Sequence, residues 1–421
     1  MTNSDTKNFS QNVSSSYHLE DRGKCNKNTS ANARNVPKLR FKGYNDEWKH
    51  LNLKSITKMI KDGTHGSYND LSEGIPLLSA KDIENGKVII SDDCRKISIS
   101  DYNDIYKNYS LEIDDILLTI VGTIGRVAIV SDLTNQYAFQ RSVGILRANE
   151  HNSPNFILYL LQTDFIKKQF YSKVNQSAQG GIYLDTLGKI DFKIPAKKEQ
   201  EKIASFLTLI DKKIEKQKEL VELLKKYKRG LLSAIFSQKL RFKDDNVNDY
   251  PAWEEKYIQD VCSITTGKGN TQDKEENGIY PFYVRSPIVE KSNKYIFDGE
   301  AVLTVGDGVG TGKVFHYVNG KFNFHQRVYK MSNFSGINGR YFYYYFSTHF
   351  YDRVKRMTAK TSVDSVRMDM IAKMPIFIPT NEEQDKIINL LTNVENIFLK
   401  NEESLFLLQE YKKGLLQQLF I

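Results

Sequence analysis

The sequence predicts an α+β fold in which two pseudo-repeated α/β globules are joined by two long antiparallel coiled-coil helices. Two observations support this prediction. An apolar seam with alternating steps of four and three residues, the period of a coiled coil, occurs twice. The segments that precede the two seams share a second pattern, in which a strand leads into a glycine turn and then into another strand.

The two seams keep one register. Their apolar members are Ile203, Leu207, Ile210, Ile214, Val221, Leu224, Leu231 and Ile235 in the first copy, and Ile387, Leu391, Val394, Phe398, Leu405, Leu408, Leu415 and Leu419 in the second. The polar interruptions also coincide, Gln217 with Asn401 and Lys228 with Lys412. A register that is kept across both polar positions indicates an internal duplication.

The same pattern sets the domain boundaries. Residues 1–36 are rich in Asn, Ser, Thr and Lys and are predicted to be a disordered polar tail. Residues 37–195 and 238–378 are the two globules, and residues 196–237 and 379–421 contain the two long helices. A chain of 421 residues with 40% hydrophobic side chains is long and apolar enough to give each globule a core.

A repeated tetrapeptide predicts how the helices run. Lys-Leu-Arg-Phe occurs at 38–41 and again at 239–242, directly after the first long helix. The second helix ends where a third copy would be due, so the chain resembles a ring of two half-repeats opened before residue 37. Closing the ring requires antiparallel helices, in a rod of roughly 50–60 Å at about 1.5 Å per residue. We expect a side-chain hydrogen bond between Gln217 and Asn401 near its middle, with a solvated polar pair as the alternative.

Charge and cysteine usage limit the class of protein. The formal net charge of +9 suits a polyanionic partner. Cys25, Cys94 and Cys262 are odd in number and far apart, which fits neither a disulfide framework nor a zinc site. The N-terminus has no apolar signal segment, and no stretch approaches the roughly 20 apolar residues of a membrane span. We therefore expect a cytoplasmic protein.

The two globules share a strand–turn–strand skeleton. A strand at 116–119 leads into Gly122–Arg126, and a strand at 301–304 leads into Gly306–Lys313. Each glycine turn ends in a cation and is followed by a second apolar strand.

Two further landmarks follow the hairpins. Gln140-Arg141 of the first globule is matched with Gln326-Arg327 of the second. A helix is predicted after each pair, at about 154–171 with Ser153 as its N-cap, and at about 338–357. The globules are therefore expected to share one plan with divergent loops.

No motif predicts catalytic chemistry. The Gly306–Lys313 turn has some likeness to a phosphate-binding loop, but Asp307 stands where the first glycine belongs and Val314 replaces the Ser or Thr that would meet magnesium. The seven histidines show no metal-ligand spacing, and neither a nucleotide-cofactor fingerprint nor a nucleophile elbow occurs. We predict no catalytic residue, no metal site and no cofactor.

Nucleic-acid recognition is the function that these residues favour. Gln and Arg can make bidentate hydrogen bonds to purine edges, and Lys and Arg neutralise phosphates. The matched pairs can equally brace the fold, so specificity is better sought in divergent loops such as 176–183 and 360–364. Tyr341–Phe346 is expected to be core rather than a stacking platform. The candidate DNA-binding residues are Arg126, Gln140, Arg141, Gln179, Tyr183, Lys313, Gln326, Arg327, Lys360 and Ser362.

A second apolar line flanks each seam. A two-stranded coil needs only the seam, so this line predicts that another surface covers it. That surface is either the chain's own globules or the helices of a partner, which by the internal symmetry would bind twice. The candidate partner-binding or coiled-coil residues are Phe206, Gln217, Leu220, Tyr227, Leu390, Ile397, Asn401 and Tyr411.

The repeated helical motifs resemble those of a known family. Glu199-Gln200 and the sequence YKRGLLSAIF at 227–236 recur as Glu383-Gln384 and YKKGLLQQLF at 411–420. They are similar to the conserved helical regions of the specificity subunit of type I restriction-modification systems, and the likeness covers nearly everything after residue 36. It implies a non-catalytic subunit with two target recognition domains, each of which reads one half of a bipartite double-stranded DNA sequence.

The resemblance also implies partners. Two modification (methyltransferase) subunits, which carry the S-adenosylmethionine chemistry, would dock on the helices, and restriction subunits would add ATP-driven translocation and cleavage. Two other functions stay open. A stand-alone two-headed regulator would bind DNA tightly without partners, and an interaction scaffold would show no salt-dependent DNA affinity.

If the rod sets the distance between half-sites, lengthening either long helix by one turn should change the tolerated spacer and leave the half-site sequences unchanged. The physical reason is that one face of the major groove recurs about every 34 Å, so the rod selects half-sites roughly one helical turn apart. Mapping of methylated adenines measures both quantities. Altered half-sites with an unaltered spacer would contradict the idea that the rod is a ruler.

Overall fold

The chain divides into two compact units. The computed structural model describes residues 19–21, 36–174, 180–308, 310–357 and 365–421. Unit 1 comprises Met1–Gln217 and Ser404–Ile421, and unit 2 comprises Lys218–Glu403. Both units mix helices and sheets, which confirms the predicted fold class.

Unit 1 contains thirteen strands within its described residues. They are β1 (Leu19–Asp21), β2 (Leu39–Phe41), β3 (Lys49–Asn52), β4 (Thr57–Asp62), β5 (Ile75–Leu78), β6 (Ile83–Glu84), β7 (Lys87–Val88), β8 (Lys96–Ile97), β9 (Ile116–Thr119), β10 (Val127–Ile129), β11 (Ala138–Phe139), β12 (Val143–Ala148) and β13 (Asp191–Ile194). Its short helices are α1 (Leu53–Ile56), α2 (Ile99–Ile105), α3 (Pro154–Leu160), α4 (Asp164–Ser172) and α5 (Leu184–Gly188).

The central sheet of unit 1 has the strand order β10-β9-β12-β4, with every pairing antiparallel. A smaller sheet has the order β11-β5-β8, and β13 pairs with β3 in a two-stranded sheet. Strand β1 pairs with β2, so part of the predicted polar tail forms a short strand. The other residues of that tail before Val36 lie outside the described part of the chain.

The long helices are α6 (Lys197–Phe236) and α10 (Asn381–Leu419), which lie inside the predicted segments 196–237 and 379–421. Between them, unit 2 contains β14 (Glu254–Tyr257), β15 (Ser263–Thr266), β16 (Tyr280–Tyr283), β17 (Val289–Ser292), β18 (Phe297–Val305), β19 (Phe315–Phe324), β20 (Val328–Ser332) and β21 (Pro375–Ile378). Its shorter helices are α7 (Ile258–Val261), α8 (Gly339–Met357) and α9 (Met368–Ala372). The main sheet has the order β15-β20-β18-β19-β16-β17, and β14 pairs with β21.

One helix boundary was predicted wrongly. The expected helix at about 154–171 is two helices, α3 and α4, separated by a turn at 161–163. The Thr163 hydroxyl accepts a hydrogen bond from the Ile166 amide at 3.4 Å, so Thr163 caps a new helix and ends the old one. The predicted Ser153 cap of α3 is confirmed.

The two seams pack in opposite directions within each unit, as predicted. In unit 1, Ile203 and Leu207 of α6 share a core with Leu415 and Leu419 of α10. In unit 2, Leu231 and Ile235 near the end of α6 share a core with Ile387, Leu391 and Val394 near the start of α10. The expected Gln217–Asn401 hydrogen bond would join the two units, since Gln217 belongs to unit 1 and Asn401 to unit 2. It stays a prediction.

Ring closure is confirmed inside unit 1. Phe420 of the second repeat packs against Phe156 with ring centroids 5.2 Å apart and against Trp48 at 6.5 Å. The equivalent residue, Phe236, packs against Tyr341 of unit 2 at 5.8 Å. Each globule core is therefore completed by the end of a long helix.

A bidentate ion pair, buried in unit 1 and partly buried in unit 2, joins the repeated tetrapeptide to the start of each long helix. The Arg40 guanidinium donates to both carboxylate oxygens of Glu199 at 2.7 Å. In unit 2, Arg241 makes the same bidentate contact with Glu383, at 3.1 and 2.7 Å. Both glutamates lie in the first helical turn, where the helix dipole stabilises negative charge.

The glutamine that follows each glutamate ties the helix to its globule. Gln200 Oε1 accepts from the Ser153 amide at 2.9 Å, and its Nε2 donates to the Pro195 carbonyl at 2.9 Å. Gln384 repeats both contacts in unit 2, with the Asn338 amide and the Pro379 carbonyl. The repeated Glu-Gln motif therefore fixes the direction in which each long helix leaves its globule.

A second duplicated network crosses the paired helices. In unit 1, the Tyr159 hydroxyl donates to Asp211 at 2.9 Å, and Asp211 pairs with Lys412 at 2.7 Å. In unit 2, the Tyr344 hydroxyl donates to Glu395 at 2.9 Å, and Glu395 pairs with Lys228 at 2.6 Å. Burial raises the pKa of Tyr344 to about 12, so this phenol stays protonated and remains a donor. The lysines that interrupt the seam are therefore partners in cross-helix ion pairs.

Replacing Glu199 by Ala should destabilise unit 1 by about 3–5 kcal/mol, because the Arg40 guanidinium would stay buried without its counter-ion. Chemical denaturation of the whole chain measures the change. Glu215→Ala is the matched control: Glu215 also lies on α6 and pairs with Lys87, but its side chain is 47% exposed. It should cost less than about 1 kcal/mol. Equal losses for the two variants would contradict the role given to the buried pair.

Candidate nucleic-acid interface

Three segments meet at one exposed edge of unit 1. The first is the β9–β10 glycine turn, in which Gly122 and Gly125 adopt positive φ angles of 77° and 91°. The second is the chain just before α5, where Gly181 forms a bridge with Val121. The third is the turn between β11 and β12, whose Ser142 carbonyl accepts from the Ile120 amide at 2.9 Å. These backbone contacts hold the three segments against one another.

The structure places four of the predicted residues on these segments. Arg126 ends the glycine turn, where the Thr119 hydroxyl accepts from its amide at 2.9 Å. Gln140 and Arg141 form the turn between β11 and β12, and the Arg141 side chain is exposed. Tyr183 is 69% exposed and lies immediately before α5. The edge of unit 1 thus carries two cations and an exposed aromatic ring beside polar side chains.

The three corresponding segments of unit 2 meet in the same way. The β18–β19 glycine turn places Asp307 in a bridge with Ser365, which precedes α9. The Gly306 amide donates to the Arg327 carbonyl at 2.8 Å, and the Val366 amide donates to the Gly306 carbonyl at 2.7 Å. The backbone hydrogen bonds and the bridge at this edge match those of unit 1, although the side chains differ.

Three of the predicted residues of unit 2 lie on these segments. Gln326 and Arg327 are exposed, and Gln326 Nε2 donates to the Asn270 side chain at 2.8 Å. Lys313 ends the glycine turn with its ammonium 4.9 Å from the centre of the Tyr351 ring, a distance that permits a cation–π contact.

The predicted match of Gln140-Arg141 with Gln326-Arg327 is wrong by one residue. The Thr64 amide donates to the Phe139 carbonyl, and in unit 2 the Gly269 amide donates to the Phe324 carbonyl. Gly63 and Gly267 face these same carbonyls so closely that a Cβ would collide with them. The structural register therefore pairs the sequence FQRSV at 139–143 with FHQRV at 324–328.

This register changes the equivalences. Gln140 corresponds to buried His325, Arg141 to Gln326, and Ser142 to Arg327. The shared letters misled the sequence comparison because backbone hydrogen bonds, rather than side-chain identity, fix the turn.

Three predicted residues, Gln179, Lys360 and Ser362, lie outside the described residues, as do residues 176–179 of the first loop and the whole 360–364 loop. The aromatic run Tyr341–Phe346 is core, as predicted: all of its members except Tyr343 are at most 4% exposed.

The second apolar line is buried at some positions and exposed at others. Phe206 is fully buried and packs edge-on against Phe41 at 5.6 Å, and Leu390 and Tyr411 are partly buried against the unit cores. The globules of the chain itself therefore cover part of the line. Leu220, Tyr227 and Ile397 remain 40%, 55% and 50% exposed in unit 2. The chain's own globules therefore leave these three side chains uncovered.

Two residues of the unit 2 edge, Arg285 and Asp307, were not among the site residues predicted from sequence. Arg285 follows β16 and lies 3.7 Å from Asp307, and Arg327 lies 3.6 Å from the other carboxylate oxygen of Asp307. Asp307 had been considered only as a misfit in a phosphate loop. No sequence signal joins residues 285, 307 and 327, because two strand pairings bring them together: β16 with β19 places 285 beside 327, and β18 with β20 places 307 there.

Neither a membrane helix nor a metal cluster is found in the part of the chain that the structure describes. No described helix is both long and apolar enough to cross a membrane. Among the same residues, His, Cys, Asp and Glu form no group of three or more with metal-binding geometry.

Two copies of one scaffold with different side chains at the same exposed edge define a duplicated recognition protein. A family model described as the type I restriction modification DNA specificity domain matches residues 45–225 and again residues 251–405. The chain therefore belongs to this family.

One relative matches most of the chain, and another matches a part of it. A protein described as the putative type I restriction enzyme MjaX specificity subunit, from Methanocaldococcus jannaschii, is 24% identical over 397 residues, which cover 85% of this chain and 89% of the relative. The EcoDI specificity subunit of Escherichia coli is 25% identical over 171 residues, or 39% of this chain and 37% of the relative.

Solved structures share the fold. The S subunit of a type I restriction-modification system from M. genitalium aligns with a TM-score of 0.64 at 15% identity, over 92% of this chain and 99% of that chain. A structure described as the basis of complex assembly and conformational transition of the type I R-M system aligns at 0.50 and 15%, over 88% and 97%.

Unit 2 should lose stability as the pH falls. Burial lowers the pKa of His316, His325 and His349 below the ordinary value of 6.5. The unfolded chain then binds protons that the folded unit does not, so stability is full above about pH 6.5 and declines below it. Amide hydrogen exchange of Gly339–Met357 at about pH 7.5 and about pH 5.5, with intrinsic rates corrected for pH, measures this.

His349→Gln should reduce that pH dependence. His151→Gln is the control, because the His151 side chain is 80% exposed. An unreduced pH dependence in His349→Gln would show that another group is responsible.

Proposed function

We propose that this chain is the sequence-specific DNA recognition subunit of a type I restriction-modification complex, reading a bipartite target through its two units. The observation that supports this most is the double family match, one copy on each globule, combined with the duplicated three-segment edge. A two-part target follows because the two edges share a scaffold and differ in side chains.

DNA contact is assigned to the exposed residues of these edges. Arg126, Arg141 and Lys313 would neutralise phosphates or donate to bases, and Gln140, Gln326 and Arg327 would hydrogen-bond to base edges. Tyr183 would stack or pack on sugars. Gln179, Lys360 and Ser362 stay in this proposal as members of the divergent loops.

The chain would be non-catalytic and would direct chemistry supplied by its partners. Exposed Leu220, Tyr227 and Ile397 offer an apolar surface on the long helices, and the internal repeat favours two modification subunits. Restriction subunits would join this complex to cleave DNA. The cytoplasm, where such a complex meets DNA, would be its location.

Exchanging residues 238–378 for the corresponding segment of another family member should change one half-site and leave the other half-site intact, because each globule has its own core. Methylation mapping of cells that contain the modification subunits reads both half-sites. A change in both half-sites would contradict independent reading.

Binding assays separate the alternatives. The proposal expects salt-dependent, sequence-specific DNA binding that strengthens when modification subunits are added. Equally tight specific binding by the chain alone would favour a stand-alone regulator, and an absence of DNA binding in the complex would favour a scaffold.

A further inference from the structure

Three charged side chains from three segments meet at the exposed edge of unit 2. Arg285 Nη1 lies 3.7 Å from Asp307 Oδ1, and Arg327 Nε lies 3.6 Å from Asp307 Oδ2. The arginine side chains are 51% and 65% exposed, whereas that of Asp307 is 24% exposed. One carboxylate therefore sits between two guanidinium groups that face solvent.

The contacts hold the arginines without using up their donors. Both distances exceed the usual hydrogen-bond length, and neither guanidinium donates a side-chain hydrogen bond to any residue that the structure describes. Asp307 Oδ1 is itself buried and accepts no hydrogen bond from these residues. The charges are thus oriented, while the N–H groups stay available to a ligand.

The backbone beneath these side chains is fixed. The Arg327 carbonyl accepts from the Gly306 amide at 2.8 Å, next to Asp307. The Arg327 amide donates to His325 Nδ1 at 3.0 Å, and His325 is 4% exposed. The Arg285 segment is held because the preceding Tyr283 carbonyl accepts from the His325 amide at 2.9 Å. Side chains on such a rigid base can read a ligand with defined geometry.

Unit 1 provides an internal comparison. The Ile120–Ser142 hydrogen bond corresponds to Gly306–Arg327, and the Val121–Gly181 bridge corresponds to Asp307–Ser365. Ser142 thus stands in the place of Arg327, and Val121 in the place of Asp307.

The third position follows from the parallel strand pairing. The Gln140 amide donates to the Leu78 carbonyl as the His325 amide donates to that of Tyr283, which puts Ala80 in the place of Arg285. The Ala80 amide donates to the Ser142 hydroxyl at 3.1 Å. Ala, Val and Ser therefore occupy in unit 1 the three positions that carry Arg, Asp and Arg in unit 2. A trio that braced the fold would be needed in both copies, so this difference points to recognition.

We propose that Arg285 and Arg327 read guanine in the half-site contacted by unit 2, and that Asp307 is the positioning residue that aims them. This inference rests on the proposed DNA-recognition function. Guanine offers two acceptors, O6 and N7, to a guanidinium in the major groove, whereas adenine offers one acceptor and a donor that would face the arginine. Unit 1 has neither arginine and reads its half-site with other groups.

The test uses the complete chain assembled with its modification subunits, and reads the methylated motif by sequencing. Arg285→Ala or Arg327→Ala should reduce discrimination at a guanine position of one half-site by roughly tenfold or more, and leave the other half-site unchanged. Asp307→Asn should relax the same positions to a smaller extent. Asp245→Asn is the matched control, because Asp245 forms an exposed ion pair with Lys386 at 2.8 Å in the same unit. It should leave the motif unchanged.

Two results would overturn the inference. An unaltered motif with uniformly weaker methylation would make the arginines phosphate contacts, and an unaltered motif at full rate would make them surface ion pairs. Arg327→Lys keeps the charge but loses the bidentate fork, so it must also relax the motif if guanine is read; its thermal unfolding, compared with that of the unsubstituted chain, shows that the fold is intact. Failure of the broader proposal would look different, because the unsubstituted chain would then direct no site-specific methylation.

Discussion

The packing of the two long helices is the constraint on which the rest of the structure depends. Each globule core contains residues of both long helices. Leu415 and Leu419 complete the core of unit 1, and Leu231 and Ile235 complete that of unit 2. A change in the helix pairing would therefore open both cores. The bidentate Arg–Glu pairs at the helix starts add direction, since they join each tetrapeptide to the helix that its globule must meet.

The duplicated polar contacts explain how one scaffold tolerates different surfaces. The Glu-Gln motif, the cross-helix Tyr–acid–Lys network and the close approach at Gly63 and Gly267 occur in both units. The first two involve the long helices, and the third fixes the backbone of the turn that carries Gln140 in unit 1 and His325 in unit 2. The side chains of the exposed edges can vary because backbone hydrogen bonds fix the edge in both units. The same position can therefore carry Asp307 in one unit and Val121 in the other.

Periodic features were predictable from sequence, and features set by strand pairing were not. The seams, the long helices, both glycine hairpins and the buried aromatic run follow from spacing and hydrophobicity. The one-residue shift between Gln140-Arg141 and Gln326-Arg327 arises from backbone hydrogen bonds that leave no trace in side-chain identity. The break at Thr163 shows a short cap overriding a continuous apolar pattern. The grouping of Arg285, Asp307 and Arg327 depends in part on a parallel pairing between distant strands, which no local sequence pattern predicts.

The closed ring has a consequence for biosynthesis. Every residue of unit 2 precedes residue 404, so a ribosome that has released this stretch has delivered a whole unit that can begin to fold. Unit 1, although it starts first, must wait for residues 404–421 before Trp48 and Phe156 gain their cover from Phe420. The nascent first unit is thus the more exposed to aggregation and proteolysis, and premature termination within α10 would impair the part of the protein that was translated earliest.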